Sequence, residues 1–221
     1  MFKTVNENRL FKLLPYFFEH PSSVFIEIAQ NAQRSGAMKL DIRLKDDILV
    51  ASDNGRGMNN PAALFVLADS DWPDEVEDNQ HPAGWGLFFL YSIADQVTFS
   101  SRFGSVTVDC NAYLNKPYYR ENVLDLVNRE SKNLTGFTVS AVLKPDIAKR
   151  LSSENFNDQL AWFPLDITVN GESIGRKTIE TEFGDYEIKT EFKGNKVHIK
   201  PANFVQPSWF ASKEFLEYCK E

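Results

Sequence analysis

One short run of residues, Asp53-Asn54-Gly55-Arg56-Gly57-Met58, most constrains how this chain can fold. It follows a segment of β-type residues, 48–52, so an acid stands at the end of a predicted strand and two glycines come directly after it. Because glycines have no side chain, a flat polar ligand can lie against the main chain here and contact the carboxylate. A tight turn with a solvated aspartate is the alternative interpretation of the same run.

Composition indicates a globular chain with a real core. Of the 221 residues, 43% are hydrophobic and 25% are charged, which allows one large domain or one domain with a small appendage. The net charge of −7 does not favour free nucleic acid as a partner of the whole surface. Cys110 and Cys219 lie far apart and are interpreted as reduced thiols. No apolar run reaches membrane-spanning length and the N-terminus has no signal-peptide pattern, so we expect a cytoplasmic protein.

The clearest predicted helix covers residues 21–36, with start signals at Pro21-Ser22-Ser23 and a stop signal at Gly36. Its apolar stripe consists of Phe25, Ile28, Ala29 and Ala32. Three polar residues, Glu27, Asn31 and Arg34, follow one another at spacings of four and three, which places them on one helix face. Alternation then predicts strands at 39–44 and 48–52, joined by a turn at Asp46-Asp47.

The next segment changes character. A short helix is predicted at 62–68, followed by a run with six acids and no base between Asp69 and Asp78, which favours a solvated, mobile loop. Gly84-Trp85-Gly86 ends this loop, and an apolar helix is predicted at 87–94.

From residue 97 the pattern is rich in strands. Strands are predicted at 97–101, 105–110 and 136–143, residues 116–134 are either a helix or an insertion, and 145–162 is predicted to be helical. The composition shifts after 163–164, so we place a boundary near 160 and divide the chain into 1–160, with an apolar N-terminal arm, and 161–221. The second unit is predicted to be a β meander with strands at 165–169, 178–183, 186–192 and 196–200, ending in a short helix at 207–221.

Three signals thus occur in a fixed order: Glu-x-x-x-Asn at Glu27 and Asn31, Asp-x-Gly-x-Gly beginning at Asp53, and Gly-x-Gly at a helix start at Gly84 and Gly86. Over roughly residues 20–145 this ordered set resembles the GHKL nucleotide-binding superfamily, which includes DNA gyrase B, the ninety-kilodalton heat-shock chaperones, histidine kinases and MutL. The resemblance implies the Bergerat fold, an α+β two-layer α/β sandwich with ATP bound between the helices and a flexible lid, here followed by a small β-rich C-terminal segment.

The resemblance also implies roles for individual residues. The adenine end would be formed by Asp53, which accepts a hydrogen bond from the exocyclic amine, together with Gly55, Gly57 and Met58. The phosphates would lie against Gly84, Trp85 and Gly86 at the start of the next helix, and the acidic loop 69–80 would be the lid. Asn31 would complete the shell of Mg²⁺, and Glu27 would orient or deprotonate the attacking water.

Three positions stay open. Arg34 stands where the gyrase and MutL branches have an acid and histidine kinases have a basic residue, so it either reaches a phosphate or forms a surface salt bridge. The family often places a Gly-Thr pair on a late strand, with the Thr contacting adenine through water. Here Phe137 interrupts the pair, so Thr135, Thr138 or neither takes this role. Lysines of the second unit could approach the γ-phosphate, but a solvated strand face is the favoured interpretation of Lys177, Lys189, Lys193 and Lys196.

The expected function is Mg²⁺-dependent ATP binding with slow, chaperone-like hydrolysis coupled to a conformational change or to homodimerisation through the N-terminal arm or the lid. The client, a protein or DNA, is not indicated. One alternative is a kinase module of histidine-kinase type, or a serine kinase acting on a partner. The other is a nucleotide-responsive interaction module without turnover. The partial second unit is compatible with a fragment of a longer protein.

Overall fold

The structure, a computed structural model, describes residues 20–66, 86–130 and 135–177, and the backbone of 188–192 and 195–199. The helices are α1 (Ser23–Arg34), α2 (Gly86–Ile93), α3 (Cys110–Asn115), α4 (Pro117–Glu121), α5 (Pro145–Ser153) and α6 (Asn157–Leu160), with single 3-10 turns at Pro61–Leu64 and Val123–Leu126. The strands are β1 (Lys39–Lys45), β2 (Ile48–Asp53), β3 (Ala94–Ser101), β4 (Gly104–Asp109), β5 (Phe137–Leu143), β6 (Asp166–Val169), β7 (Glu172–Ser173), β8 (Ile188–Phe192) and β9 (Asn195–Ile199).

Seven of these strands form one mixed sheet in the order β4-β3-β5-β2-β1-β6-β7. β1 and β6 run parallel, and the other neighbouring pairs are antiparallel. β8 and β9 pair as a separate hairpin. The expected α+β class is therefore confirmed, and the sheet is mostly antiparallel.

The core lies on one face of the sheet. Side chains alternate along each strand, and the alternate residues Leu49 and Ala51 of β2 are buried, as are Val139 and Ala141 of β5 beside them. These residues share one cluster with the apolar stripe of α1, namely Val24, Phe25, Ile28, Ala29 and Ala32, and with the apolar residues of α2. The opposite face carries half-buried polar side chains, among them Ser52 and Thr138. Asp53 has the same parity as Leu49 and Ala51, so it faces the helices.

Helix α1 was predicted at 21–36 and covers Ser23–Arg34, two residues fewer at each end, because its last turn is closed locally. The N–H groups of Ser35 and Ala37 donate to the carbonyl oxygens of Asn31 and Ala32, which closes the helix directly after Arg34. Basic Arg34 in the last turn also interacts favourably with the negative end of the helix dipole. The helix thus stops where its final residues meet the chain that follows β2.

Several other elements differ from the sequence predictions. The predicted helix 145–162 is divided into α5 and α6, because the backbone at Glu154 is extended. Segment 116–134, predicted as a helix or an insertion, contains α4 and the turn Val123–Leu126 in its described part. The sheet continues past residue 160, where the sequence predicted a boundary, since β6 pairs with β1 over the register Lys39↔Asp166 to Ile42↔Val169.

Some predicted features lie outside the described residues: the arm 1–19, the acidic loop 69–80, Gly84 and Trp85, the strand 178–183 and the helix 207–221. Within the described ranges, the helices are too short or too polar to traverse a lipid bilayer.

Candidate functional site

The polar line on α1 is the first part of the candidate site. Glu27, Asn31 and Arg34 are all half-buried, on a helix whose other side is in the core. One guanidinium nitrogen of Arg34, Nη1, lies 3.5 Å from Asn31 Oδ1, at the long limit of a hydrogen bond. The helical spacing recognised in the sequence therefore brings the three side chains together.

Glu27 is an acid in an environment that disfavours its charge. Burial raises the pKa of its carboxyl group above the ordinary value, and the nearby positive charge of Arg34 only partly opposes this shift. The described residues contribute no hydrogen bond to this shift. A desolvated carboxylate is more basic than a solvated one, which is the property a proton acceptor needs near neutral pH.

Gly86, the first residue of α2, lies directly against this carboxylate. A Cβ atom built on Gly86 would overlap Glu27 Oε2 and would lie 2.6 Å from its Cδ. The absence of a side chain at Gly86 therefore makes room for Glu27 at the start of α2. Free N–H groups and the positive end of the helix dipole are also found at a helix start, so this location favours anions. Gly84 and Trp85, predicted to share this role, lie outside the described residues.

Burial of Arg34 lowers the pKa of its guanidinium group, and the charge of Glu27 opposes this shift. Arginine remains protonated in proteins, so the site keeps a fixed cation beside Asn31. Arg34 is half-buried beside Glu27 and Asn31, and the two interpretations that the sequence left open, a contact with a phosphate and a salt bridge, both stay predictions.

Asp53, at the end of β2, forms the second part of the site. Burial raises the pKa of its carboxyl group, and hydrogen bonds from the N–H groups of Gly55 and Phe137 and from the Ser35 hydroxyl lower it. The bond from Gly55 N to Asp53 Oδ1 is 2.7 Å long. The carboxylate is thus fixed in direction by the N–H group of Gly55, two residues further along the chain.

The neighbouring Asn54 has a structural role. Its Oδ1 accepts hydrogen bonds of 2.9 Å from the N–H groups of both Met38 and Lys39, and its own N–H donates to Lys39 O. Asn54 therefore joins the end of β2 to the start of β1 and holds Asp53 in place at the end of its strand.

Gly57 and Met58 are held by a buried hydroxyl that the sequence did not single out. Ser101 Oγ at the end of β3 accepts a hydrogen bond of 2.8 Å from Met58 N and donates one of 2.6 Å to Gly136 O. Ser101 is fully buried. Gly57 has φ +70°, and a Cβ at this position would lie 2.8 Å from Gly136 O, so only glycine fits without a shift. One hydroxyl thus links the loop after β2 to the loop before β5.

Thr138 is not brought to this cluster. Residue Phe137, not Thr138, pairs with Asp53, and Thr138 pairs with Ser52 one position earlier. Because strand side chains alternate, Thr138 points to the opposite face of the sheet from Asp53, where its hydroxyl lies 2.9 Å from Ser52 Oγ. The inserted Phe137 reverses the side on which the threonine lies. Thr135, the other candidate, is exposed before β5.

Three residues of the cluster were missed in the sequence: Ser35, Ser101 and Gly136. Ser35 directly follows Arg34 and has the ordinary sequence signature of a helix end. Ser101 and Gly136 belong to strand ends that meet only in the folded chain. Their contacts depend on sheet register, which local patterns do not specify.

The donor set is suited to a hard cation that also binds phosphate. The described residues contain no group of three histidine, cysteine or acidic side chains that would enclose a metal alone. Asn31 provides an amide oxygen, and the carboxylate of Glu27 is one helical turn away on the same face. Mg²⁺ prefers oxygen ligands and usually keeps several waters and substrate phosphates, so this sparse set fits an ion that arrives with a nucleotide.

The chain matches no protein-family model and no curated protein. The case for a function therefore depends on the arrangement of these side chains.

Proposed function

We propose that this chain adopts a Bergerat-type ATP-binding fold, binds ATP with Mg²⁺ and hydrolyses it slowly to ADP and phosphate, with turnover coupled to a conformational change or to dimerisation. The proposal joins the two parts of the candidate site into one elongated site along α1.

The observation that carries the proposal is the way α1 contacts two motifs that are far apart in sequence. Directly after its C-terminal end, Ser35 O accepts a hydrogen bond of 3.0 Å from Arg56 N in the loop that follows Asp53, and Ser35 Oγ lies against Gly55. Eight residues earlier, Glu27 lies against Gly86 at the start of α2. A helix rises about 1.5 Å per residue, so these two contacts are about 12 Å apart along the axis. This separation suits an extended nucleoside triphosphate, with its base at Asp53 and its last phosphate near Glu27.

The base would bind at Asp53. An ionised carboxylate only accepts hydrogen bonds, so it can pair with the 6-amino group of adenine. The backbone of Gly55 and Gly57 would allow the planar base to approach, and Met58, which is half-buried against the core, would contribute an apolar contact.

The phosphates would bind between α1 and the start of α2. Asn31 would hold Mg²⁺, which when bound neutralises charge on the phosphate oxygens. Arg34 supplies a second, permanent positive charge beside Asn31. Gly86 leaves space at the helix start, where N–H groups favour an anion.

Glu27 would act as the general base. It accepts a proton from the water that attacks the terminal phosphorus, the bond from that phosphorus to the bridging oxygen breaks, and ADP departs. Its raised pKa and its position against Gly86 support this role. A carboxylate that burial makes more basic accepts a proton more readily at neutral pH.

One observation favours a second candidate, a kinase module. Arg34 provides a basic residue beside Asn31, the feature that the sequence shares with the histidine-kinase branch. In that case the acceptor of the phosphoryl group would be a side chain of a partner rather than water.

The test measures ATP binding and phosphate release by the purified chain with Mg²⁺ and γ-labelled ATP, for wild type, Glu27→Ala and Asp53→Asn. We expect Glu27→Ala to abolish phosphate release while ATP still binds, and Asp53→Asn to abolish binding. Absence of both binding and release in the wild type would contradict the proposal. Binding without release would favour the interaction-module function, unless label is transferred to a partner protein, which would favour the kinase.

A further inference from the structure

The face of the main sheet opposite the helices, called here the outer face, extends over the neighbouring strands β4, β3, β5, β2 and β1. In these strands every side chain on the outer face is exposed or half-buried, whereas the alternate residues belong to the core. The centre of the outer face is apolar, because Ile48 and Val50 of β2 are neighbours of Val142 on β5. An apolar centre with polar surroundings is the usual anatomy of a protein–protein interface.

The polar side chains around this centre are held by one another across the strands. Thr98 Oγ1 lies 2.9 Å from Thr107 Oγ1, and Ser52 Oγ lies 2.9 Å from Thr138 Oγ1. Serine, threonine and valine side chains also have few rotamers, so little conformational entropy is lost when they are covered. The outer face is therefore preorganised for contact with a partner.

The charges of the outer face indicate which kind of partner it fits. Sheet register places Asp109, Gln96, Val142, Ile48 and Lys45 in one row across the five strands. This row has an acid at one end, a base at the other and apolar residues between them. A surface for nucleic acid would be basic throughout, whereas this row is complementary to a reversed copy of itself.

We infer that the outer face is an interface between two copies of this chain, related by a twofold axis that runs parallel to the strands near Val142. Rotation about this axis reverses the strand order, so Lys45 of each copy faces Asp109 of the other. An axis across the strands would instead place β1 on β1, with the bases Lys39, Arg43 and Lys45 facing their own counterparts. Charge therefore selects the axis parallel to the strands.

The size of the outer face sets the expected affinity. Strands β2 and β4 have six residues each. With strands about 4.8 Å apart and a rise of about 3.3 Å per residue, the five strands cover about 500 Å² per copy. A total of about 1,000 Å² is at the low end for a specific interface, so we expect a dissociation constant in the micromolar range. The dimer requires no nucleotide and is independent of the ATP-binding function.

The first experiment is sedimentation velocity of the full chain without nucleotide, from about 1 µM to about 200 µM. We expect the wild type to pass from monomer to dimer in this range. Ile48→Glu places a charge in the apolar centre and should weaken the dimer by at least about tenfold. A wild type that stays monomeric at every concentration would overturn the inference, whatever else covers the outer face.

Leu126→Glu is the matched control. Ile48 and Leu126 are both 46% exposed, but Leu126 belongs to the 3-10 turn Val123–Leu126 and not to the outer face. We expect Leu126→Glu to dimerise as the wild type does. An equal loss of dimer in both variants would overturn the inference, because it would show an effect of added charge alone.

The second experiment tests the arrangement with two variants at exposed positions. Lys45→Glu places an acid opposite Asp109 of the other copy and should weaken the dimer by about tenfold. Adding Asp109→Asn removes this repulsion, and an asparagine can still cap α3, where Asp109 accepts from Ala112 N. We expect the double variant to recover most of the lost affinity. No recovery, or no effect of Lys45→Glu, would overturn the inference even if Ile48→Glu does not fold.

Discussion

At the scale of single residues, the two central carboxylates differ in their surroundings. Burial raises the pKa of both Glu27 and Asp53, but Asp53 accepts a hydrogen bond of 2.7 Å from Gly55 N, whereas among the described residues the burial of Glu27 is opposed by the charge of Arg34. A hydrogen-bonded carboxylate suits recognition, and a carboxylate that burial makes more basic suits proton transfer. The two residues therefore support different roles with the same functional group.

The first prediction concerns stability at Glu27. Glu27→Gln should raise the free energy of unfolding at pH 7 by about 0.5–1 kcal/mol, because the neutral amide avoids the desolvation of a buried charge. An acid whose pKa is higher in the folded state than in the unfolded state stabilises the fold at pH values below the unfolded pKa, here 4.5. This stabilisation is lost as the pH rises through the folded pKa. The difference should therefore be small near pH 4 and grow toward pH 7.

Urea unfolding at the two pH values provides the measurement. Glu130→Gln, a change at an exposed glutamate, is the control and should alter stability by less than about 0.5 kcal/mol. A Glu27→Gln variant that is less stable than wild type at pH 7 would show that the carboxylate is stabilised in a way this account lacks.

The second prediction concerns Ser101. Ser101→Ala removes the partner of both Met58 N and Gly136 O at a fully buried position, so we expect a loss of about 1–3 kcal/mol of stability. Chemical denaturation measures this loss. Ser100→Ala, on the half-buried opposite face of the same strand, is the control. Equal stability of the Ser101 variant and the control would argue against the hydroxyl link.

At the scale of elements, the close packing of α1 against the start of α2 determines where the Glu27 carboxylate lies. The third prediction is that Gly86→Ala moves Glu27, because the new Cβ would overlap its carboxylate. We expect phosphate release to fall by at least about tenfold while ATP binding persists, as when an interaction made only in the transition state is lost.

Gly175→Ala is the matched control for this variant, because nothing lies within 4 Å of a Cβ built there. It should leave both phosphate release and stability unchanged. Unaltered turnover in Gly86→Ala would mean that the observed position of Glu27 is not the one used for hydrolysis.

Most of the described helices and strands could be predicted from the local sequence. Helix α1 and strands β1, β2 and β5 follow their patterns closely, because apolar periodicity and end signals are local properties. The orientation of Thr138 could not be predicted in this way. Its spacing from Gly136 is visible in the sequence, but the face of the sheet on which its side chain lies follows from the pairing of Phe137 with Asp53. The packing of Ser35 against Gly55 and the hydrogen bonds of Ser101 also depend on contacts between distant segments.

At the scale of the whole molecule, a long-range strand pairing crosses the boundary that the sequence predicted near residue 160. A shift in composition indicated a new unit, but β6 adds to the main sheet beside β1, more than a hundred residues away in sequence. Parallel pairing of distant strands leaves no local signature. All described strands up to β7 therefore belong to a single sheet.

The fourth prediction follows from this sheet. A chain ending at residue 177 should unfold cooperatively, whereas one ending at residue 160 should be strongly destabilised, because it loses the buried side chains Phe163, Leu165, Ile167 and Val169. Removing a buried apolar side chain costs about 2–5 kcal/mol, so the total exceeds the stability of a typical domain. Circular dichroism during thermal unfolding distinguishes the two chains, and equal melting temperatures would contradict the integral role of β6.

The central claim is that Asp53 binds the base of ATP, and calorimetric titration of ATP with Mg²⁺ tests it most directly. Wild type and Asp47→Asn, an exposed acid before the same strand, should bind one ATP per chain with equal affinity. Asp53→Asn should weaken binding by at least about a hundredfold, since its amide presents a donor to the adenine amine. Binding that is equal in wild type and Asp53→Asn, or absent from the wild type, would contradict the account.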